Sequence, residues 1–123
     1  IIPSKTTDLL GASAALLLNA LKFLCGVDHD THLISPEAIG PIQELKTKYL
    51  GGKNPRLHTD EVLIALSISA LNDENARKAL EQLPKLKGCQ VHTSVMLSDV
   101  DTKTFKKLGV DLTSEPILKG KSN

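Results

Sequence analysis

The segment from Thr7 to Gly26 constrains the fold more than any other part of the sequence. Between Leu9 and Gly26, the only large polar side chains are Asn19 and Lys22, and the rest are small or apolar. A helix of this composition is apolar on nearly all sides and needs cover on several of them. We therefore predict a central helix that begins after an N-cap at Thr7 or Asp8 and ends at Gly26.

This segment does not have the properties of a targeting signal. Asp8 lies where a signal peptide keeps its basic region, and the bulky Leu24 precedes Cys25 where cleavage requires a small residue. Asn19 and Lys22 interrupt the apolar run before it reaches the length that spans a bilayer. We therefore expect a cytoplasmic protein with no membrane partner.

Composition excludes some classes of partner. The 123 residues fit one domain, residues 1–123, and 15 basic against 14 acidic residues give a net charge of +1. This balance offers no electrostatic surface for DNA, and three aromatic residues offer few stacking platforms, so no nucleic-acid partner is expected. Cys25 and Cys89 are interpreted as reduced thiols of a cytosolic protein, with a Cys25–Cys89 bridge as the alternative.

The pattern along the chain predicts an α/β domain that is rich in helix. We expect about five helices around a small, mostly parallel, three-stranded sheet, with a βαβ unit at the C-terminal end and a right-handed crossover. The expected strands are His32–Ile34, Val91–Leu97 and Val110–Thr113. The later helices are expected to begin at Ser35-Pro36-Glu37, at Thr59, near Asn72 or Asp73, and at a cap on Asp101, and to end at Gly51-Gly52, near Leu71, at Pro84 and at Gly109.

Five blocks of this sequence, in this order, resemble the C-terminal domain of the bacterial domain-of-unknown-function family 1846. The resemblance extends from Lys5 to Pro116 and implies a cytosolic bacterial protein with a larger α/β region on the N-terminal side. It implies no established reaction, although some members carry an ATP-dependent peptidase label. The start at Ile1 rather than Met fits an excised domain and, equally, a trimmed tag. The blocks are KTTDLLGASAALLLNALK, DTHLISPEAIGPIQELK, NPRLHTDEVLIALSISA, LKGCQVHTSVMLSDVD and KKLGVDLTSEP.

Two stretches are candidates for phosphate binding. Lys5, Thr6 and Thr7 precede a helix, as the lysine and hydroxyls of a phosphate loop do, but the glycines are missing. Members of the resembled family often have glycine before this lysine, where the present sequence has Ser4. Lys53 and Arg56, beside Gly51-Gly52, could hold an anion together with backbone N–H groups. An ordinary N-cap and an ordinary helix stop are the simpler interpretations, and no cofactor is predicted.

The histidines give the remaining candidates for catalysis. His32 and His92 both lie on expected strands, so they could share one face of the sheet with Ser94. His29 and His32 have a spacing found in metal sites, but no second pair supports it, so we predict no metal site. Ser13 resembles the nucleophile of a G-x-S-x-G elbow, but it lies within helix-forming residues.

Two hypotheses on function follow. In the first, this is an accessory and assembly domain that packs on the N-terminal domain of the parent protein or self-associates as a homo-oligomer. In the second, it contributes half of an active site for a nucleotide, phosphate or metal-dependent reaction, which the N-terminal region completes. The first is preferred, because two helices that are apolar on most sides imply a covered layer or an uncovered interface. The expected interface is the small-residue face of the first helix, formed by Ala12, Ser13, Ala15 and Leu16.

Overall fold

The computed structural model describes residues 10–93 and 97–114. These residues form five α-helices and one pair of parallel strands, and the chain divides into two compact units, Ile1–Gln82 and Leu83–Asn123. The helices and strands are α1 (Ala12–Cys25), α2 (Pro36–Glu44), α3 (Thr59–Ser69), α4 (Glu74–Leu80), β1 (Gln90–Thr93), α5 (Asp99–Lys107) and β2 (Asp111–Ser114). The predicted α/β class with five helices is confirmed.

Helix α1 is the centre of the first unit. Leu17 and Leu21 are almost completely buried, and the helix packs on α3 and α4, which also pack on each other. The helix ends as predicted at Gly26, whose φ of 73° is a left-handed conformation that favours glycine. The predicted start is wrong, because the N-cap is Gly11. Its N–H donates to Leu57 O at 3.2 Å, and Leu10 forms a parallel bridge with Leu57 rather than a turn of helix.

Helix α2 begins as its sequence predicts. Ser35 Oγ accepts a hydrogen bond from the N–H of Ala38 at 3.3 Å, and Pro36 occupies the first turn, where its missing N–H costs nothing. Helix α2 continues directly into a single π turn, Leu45–Tyr49, in which the N–H of Leu50 donates to Leu45 O at 3.0 Å. The predicted stop at Gly51-Gly52 is confirmed by the end of this π turn.

Helices α3 and α4 complete the first unit. The N–H of His58 donates to Glu61 Oε1 at 2.8 Å, which satisfies one of the donors at the start of α3. Asp73 Oδ1 caps α4 by accepting from the N–H of Asn75 at 2.8 Å. Helix α4 is shorter than predicted: it ends at Leu80, and Leu83–Leu86, which includes Pro84, forms a separate 3₁₀ turn that belongs to the second unit.

The second unit contains the sheet. Strands β1 and β2 are parallel, with Gln90 opposite Asp111 and His92 opposite Thr113, and α5 lies between them in sequence and packs on β2. The cap of α5 is Ser98, not Asp101: Ser98 Oγ accepts from the N–H of Asp101 at 3.2 Å. The predicted stop at Gly109 is confirmed by its φ of 80°.

The third predicted strand is not present among the described residues. Leu33 and Ile34 form a bend, and both are buried in the first unit, so their apolar character comes from core packing rather than from strand pairing. Three residues are too few for an alternating pattern to separate a strand from a buried loop. Leu97, at the end of the second predicted strand, is also outside any strand, and Val95 lies outside the described residues.

Candidate functional site

An apolar surface runs along the outer side of α3. Ile64 and Ile68 are 59% and 61% exposed, and Leu71, in the turn that follows the helix, is 80% exposed. Their spacing of four and three residues places them on one side of the helix, opposite the buried Val62 and Leu66. We call Ile64, Ile68 and Leu71 the stripe. Exposed single aliphatic residues are common, but three on one face are typical of a surface that meets another protein.

A second apolar surface lies at the π turn. Leu45, Tyr49 and Leu50 are 50%, 66% and 72% exposed, and we call these three residues the tip. The Lys48 ammonium lies 5.6 Å from the centroid of the Tyr49 ring, within the range of a cation–π contact. The tip therefore combines apolar side chains with a cation at its edge, and π turns occur frequently at functional sites.

Lys46 connects the π turn to the start of α3. Its ammonium donates to Glu61 Oε1 at 2.8 Å and to Arg56 O at 2.6 Å, and its carbonyl accepts from the N–H of Gly52 at 2.8 Å. The two side chains of the Lys46–Glu61 pair are only 15% and 25% exposed, so water screens the pair less than it screens a surface ion pair. Lys46 thus fixes the turn that carries the tip to the first turn of the helix that carries the stripe.

The charges around the two apolar surfaces have opposite sign. Residues 45–56 contain no carboxylate, and residues 57–76 contain no lysine or arginine. The cations of the first stretch are Lys46, Lys48, Lys53 and Arg56, and the carboxylates of the second are Asp60, Glu61, Asp73 and Glu74. After the internal Lys46–Glu61 pair is set aside, the exposed Lys48 and Lys53 lie close to the tip in sequence and outnumber its one adjacent carboxylate, Glu44, whereas Asp60 and Asp73 flank the stripe.

The predicted interface on α1 is mostly covered by the chain itself. Ser13 and Ala15 are buried, and Ala12 and Leu16 are half-buried. The small residues allow the close packing that the sequence implied, but inside the domain. A contact between these four residues and a partner stays a prediction, and the stripe on α3 offers more apolar surface.

The second phosphate candidate loses its backbone donors. The N–H groups of Gly51 and Gly52 donate to Thr47 O at 3.2 Å and to Lys46 O at 2.8 Å, so they cap the π turn instead of facing an anion. Lys53 is exposed and Arg56 is half-buried, and their role stays a prediction. The first candidate, Lys5, Thr6 and Thr7, lies outside the described residues.

The histidine candidates do not share a sheet face, because only one of them lies on a strand. His32 is exposed just before the Leu33-Ile34 bend, in the first unit. His92 lies on β1, and its Nδ1 is 3.0 Å from Thr113 Oγ1 on β2. The Thr113 hydroxyl donates to Val91 O at 3.4 Å, which favours a proton on Nδ1 of His92. Ser94 lies outside the described residues, and catalysis by these residues stays untested.

Lys22, on α1, lies close to the acidic loop that follows the helix. The Lys22 ammonium donates to His29 O at 3.0 Å. Partial burial lowers the pKa of Lys22 below its usual value of 10.5, against the opposing effect of the nearby Asp30 and Asp28 carboxylates. Among residues 10–93 and 97–114, no group of three or more histidine, cysteine, aspartate or glutamate side chains is arranged to hold a metal ion.

No sequence pattern described above predicted the stripe, the tip or the Lys46–Glu61 pair. The spacing of Ile64, Ile68 and Leu71 was visible, but it does not reveal which side of an apolar helix remains uncovered. The separation of charges between residues 45–56 and 57–76 is a signal that could have identified the two surfaces. Within the described residues, no helix has the length and apolar character needed to cross a membrane.

The five helices and the pair of parallel strands define an α/β fold, and the exposed apolar stripe is its clearest candidate site. Residues 1–123 match the family described as "Domain of unknown function DUF1846, C-terminal", and the chain belongs to this family. The resemblance inferred from the sequence is thereby confirmed.

Relatives with high identity come from several bacteria. A UPF0371 protein of Corynebacterium aurimucosum is 62% identical over 122 residues, which are 99% of this chain and 24% of that protein. One of Corynebacterium diphtheriae is 61% identical over 116 residues, which are 94% of this chain and 23% of that protein. One of Streptococcus thermophilus is 46% identical over 116 residues, which are 94% of this chain and 24% of that protein. The chain thus spans about a quarter of the length of these relatives.

Proposed function

We propose that this chain is an assembly domain through which copies of a longer polypeptide associate, with the stripe on α3 as a contact surface. The observation that carries the proposal is the exposure of Ile64, Ile68 and Leu71 along one side of a helix whose other side is core. Soluble domains keep contiguous apolar surface small unless it serves an interaction.

The size of the stripe limits what can bind there. Burying one exposed large aliphatic side chain contributes about 1.5 to 3 kcal/mol. Three such side chains contribute about 4.5 to 9 kcal/mol in total, which lies within the roughly 4 to 15 kcal/mol that association costs in lost motion, so alone they leave little net affinity. The partner must therefore contribute apolar surface of its own.

A second copy meets this requirement. The same unit that carries the stripe also carries the tip, which is a second exposed apolar surface. Opposite charges border the two surfaces, and such complementarity favours one partner over others and speeds association. The N-terminal region of the longer polypeptide is the competing occupant, and the mass of the polypeptide in solution separates the two.

The proposal is tested by measuring the mass of the full-length polypeptide in solution, by light scattering at micromolar concentration. We expect the wild type to have a mass above that of one copy, and Ile68→Asp to lower that mass, because a carboxylate in an apolar contact must be desolvated. Thr102→Asp is the matched control, since it adds the same charge at an exposed helical position in the second unit.

The proposal fails if Ile68→Asp and wild type have the same mass while both melt as folded proteins. That result, together with slow chemical labelling of a cysteine placed at residue 68 in the full-length protein, would assign the stripe to the N-terminal region. Fast labelling would show that the stripe meets nothing.

Two further proposals concern the sheet and the location of the protein. We propose that β1, α5 and β2 form a right-handed βαβ unit, supported by the parallel pairing of the strands with α5 between them in sequence. We also propose a cytoplasmic location, supported by the free thiols of Cys25 and Cys89.

A further inference from the structure

We infer that the copies associate head to tail, with the stripe of one copy packed on the tip of the next. This inference rests on the proposed function and adds the identity of the two surfaces that meet. A symmetric contact of stripe on stripe is the alternative arrangement.

The charges favour the head-to-tail arrangement. Asp60 is exposed one helical turn before Ile64, and Asp73 is exposed two residues after Leu71, so carboxylates flank the stripe at both ends. A stripe that packed on a second stripe would bring these carboxylates together, and like charges across an interface oppose binding. Near the tip, the exposed Lys48 and Lys53 offer opposite charges, and they outnumber the one adjacent carboxylate, Glu44.

The contacts that these charged groups make within the chain leave them able to pair with charges of another copy. Asp60 Oδ1 accepts from the N–H of Glu61 at 2.8 Å, and Asp73 Oδ1 caps α4, so backbone contacts hold both carboxylates in place. Glu74 is the less suitable partner, because Arg77 already lies 3.4 Å from its Oε1. The Lys48 ammonium is positioned over the Tyr49 ring at the edge of the tip.

Contacts of Lys46 link the element that carries the tip to the element that carries the stripe. The Lys46–Glu61 ion pair and the bond from Lys46 to Arg56 O join the π turn to the start of α3. Both surfaces remain exposed in this arrangement, so each is available to another copy. When two different surfaces meet, an open assembly has one unused stripe at one end and one unused tip at the other. Further copies can therefore add until the assembly closes into a ring, or it grows as a filament.

Complementation between two variants tests the inference in the full-length polypeptide. Ile68→Asp disables the stripe and keeps the tip, and Leu50→Asp disables the tip and keeps the stripe. We expect each variant alone to lose association at least tenfold. The mixture should form a complex of one copy of each variant and no larger species, because only one intact stripe and one intact tip remain.

The outcomes separate the two proposals. If Ile68→Asp dissociates the protein and Leu50→Asp does not, the assembly function stands and the head-to-tail contact is overturned. The head-to-tail contact is also overturned if both variants dissociate but their mixture does not recover a pair. If neither variant lowers the mass, both proposals are overturned. Milder variants, Leu71→Ser and Tyr49→Ser, replace the first two if melting shows that an aspartate unfolds the domain.

Charge reversal on the tip provides a second test. Lys48→Glu with Lys53→Glu leaves all six apolar side chains in place and places carboxylates opposite carboxylates. We expect at least tenfold weaker association at low salt and a smaller difference at 1 M salt, where the screening length falls to about 3 Å. Association that is unchanged by this double variant at low salt would overturn the head-to-tail contact.

Discussion

Lys46 and Glu61 form an ion pair of 2.8 Å that links the π turn to the first turn of α3. Glu61 Oε1 also accepts from the N–H of His58, and the Lys46 ammonium also donates to Arg56 O. One lysine therefore holds the loop between the two elements at both of its ends. The consequences of removing it are larger than those of removing an ion pair on the surface.

Lys46→Met is expected to destabilise the domain by about 1 to 3 kcal/mol, because Glu61 keeps its charge in a poorly hydrated position and Arg56 O loses a donor. Urea unfolding measures the change. Arg77→Met is the control, because the exposed Arg77–Glu74 pair should contribute no more than about 1 kcal/mol. Equal effects of the two substitutions would contradict the structural role of Lys46.

Gly52→Ala is expected to destabilise the end of the π turn. A Cβ at residue 52 would lie 2.9 Å from Lys46 O, which is backbone and cannot move without breaking the cap. Gly26→Ala is the comparison: a Cβ there meets no atom within 4 Å, and only the left-handed φ of 73° opposes it, at about 1 to 2 kcal/mol. Thermal melting should show a larger loss for Gly52→Ala, and a smaller loss would refute the steric argument.

Lys22 should make stability depend on alkaline pH. Burial lowers the pKa of Lys22 in the folded state below the value of 10.5 that applies when the chain is unfolded. Between these two pKa values the unfolded state binds more protons, so the free energy of unfolding from this group rises with pH across that window. The difference in unfolding free energy between wild type and Lys22→Met should therefore shift in favour of wild type as pH rises towards 10.5.

The carboxylates beside Lys22 supply the control for that titration. Asp30 opposes the effect of burial, so Asp30→Asn should lower the pKa of Lys22 further. NMR titration of the side-chain amine would detect the shift. An unchanged or raised pKa in this variant would mean that the Asp30 carboxylate does not act on Lys22.

His92 is expected to carry its proton on Nδ1. The 3.0 Å contact with Thr113 Oγ1 and the bond from the Thr113 hydroxyl to Val91 O favour this tautomer. Nitrogen NMR of the imidazole distinguishes the two tautomers. Thr113→Val should abolish the tautomer preference and lower the free energy of unfolding by about 1 kcal/mol. Thr113→Ser keeps the hydroxyl, so it should keep both the preference and the stability. A wild-type protein with its proton on Nε2 would contradict this geometry.

Local signals in the sequence predicted much of the fold because they act within a few residues. Ser35 with Pro36, Gly26 and Gly109 define helix ends through contacts that do not depend on the rest of the chain. The start of α1 could not be predicted in this way. Gly11 is the N-cap because Leu10 is bridged to Leu57, and a contact over that separation leaves no local pattern.

The sequence indicated helices that are apolar on most sides, but not which of their side chains stay exposed. The composition of α3 predicted either a covered central layer or an uncovered interface, and which side of the helix stays exposed depends on how α1 and α4 pack around it. The small residues of α1 resemble a packing surface, and Ser13 and Ala15 do pack inside the chain. The bend at Leu33-Ile34 is a similar case, because buried positions are apolar in loops as well as in strands, and a short apolar run does not separate the two.

The π turn has a consequence for sequence length. A turn closed by the bond from the Leu50 N–H to Leu45 O contains one residue more than the corresponding α-helical turn. Deleting one residue between Leu45 and Tyr49 would restore ordinary helical bonding while rotating every later side chain of that turn by about 100°. Tyr49 and Leu50 would then point in new directions, so the orientation of the tip is encoded in a single added residue.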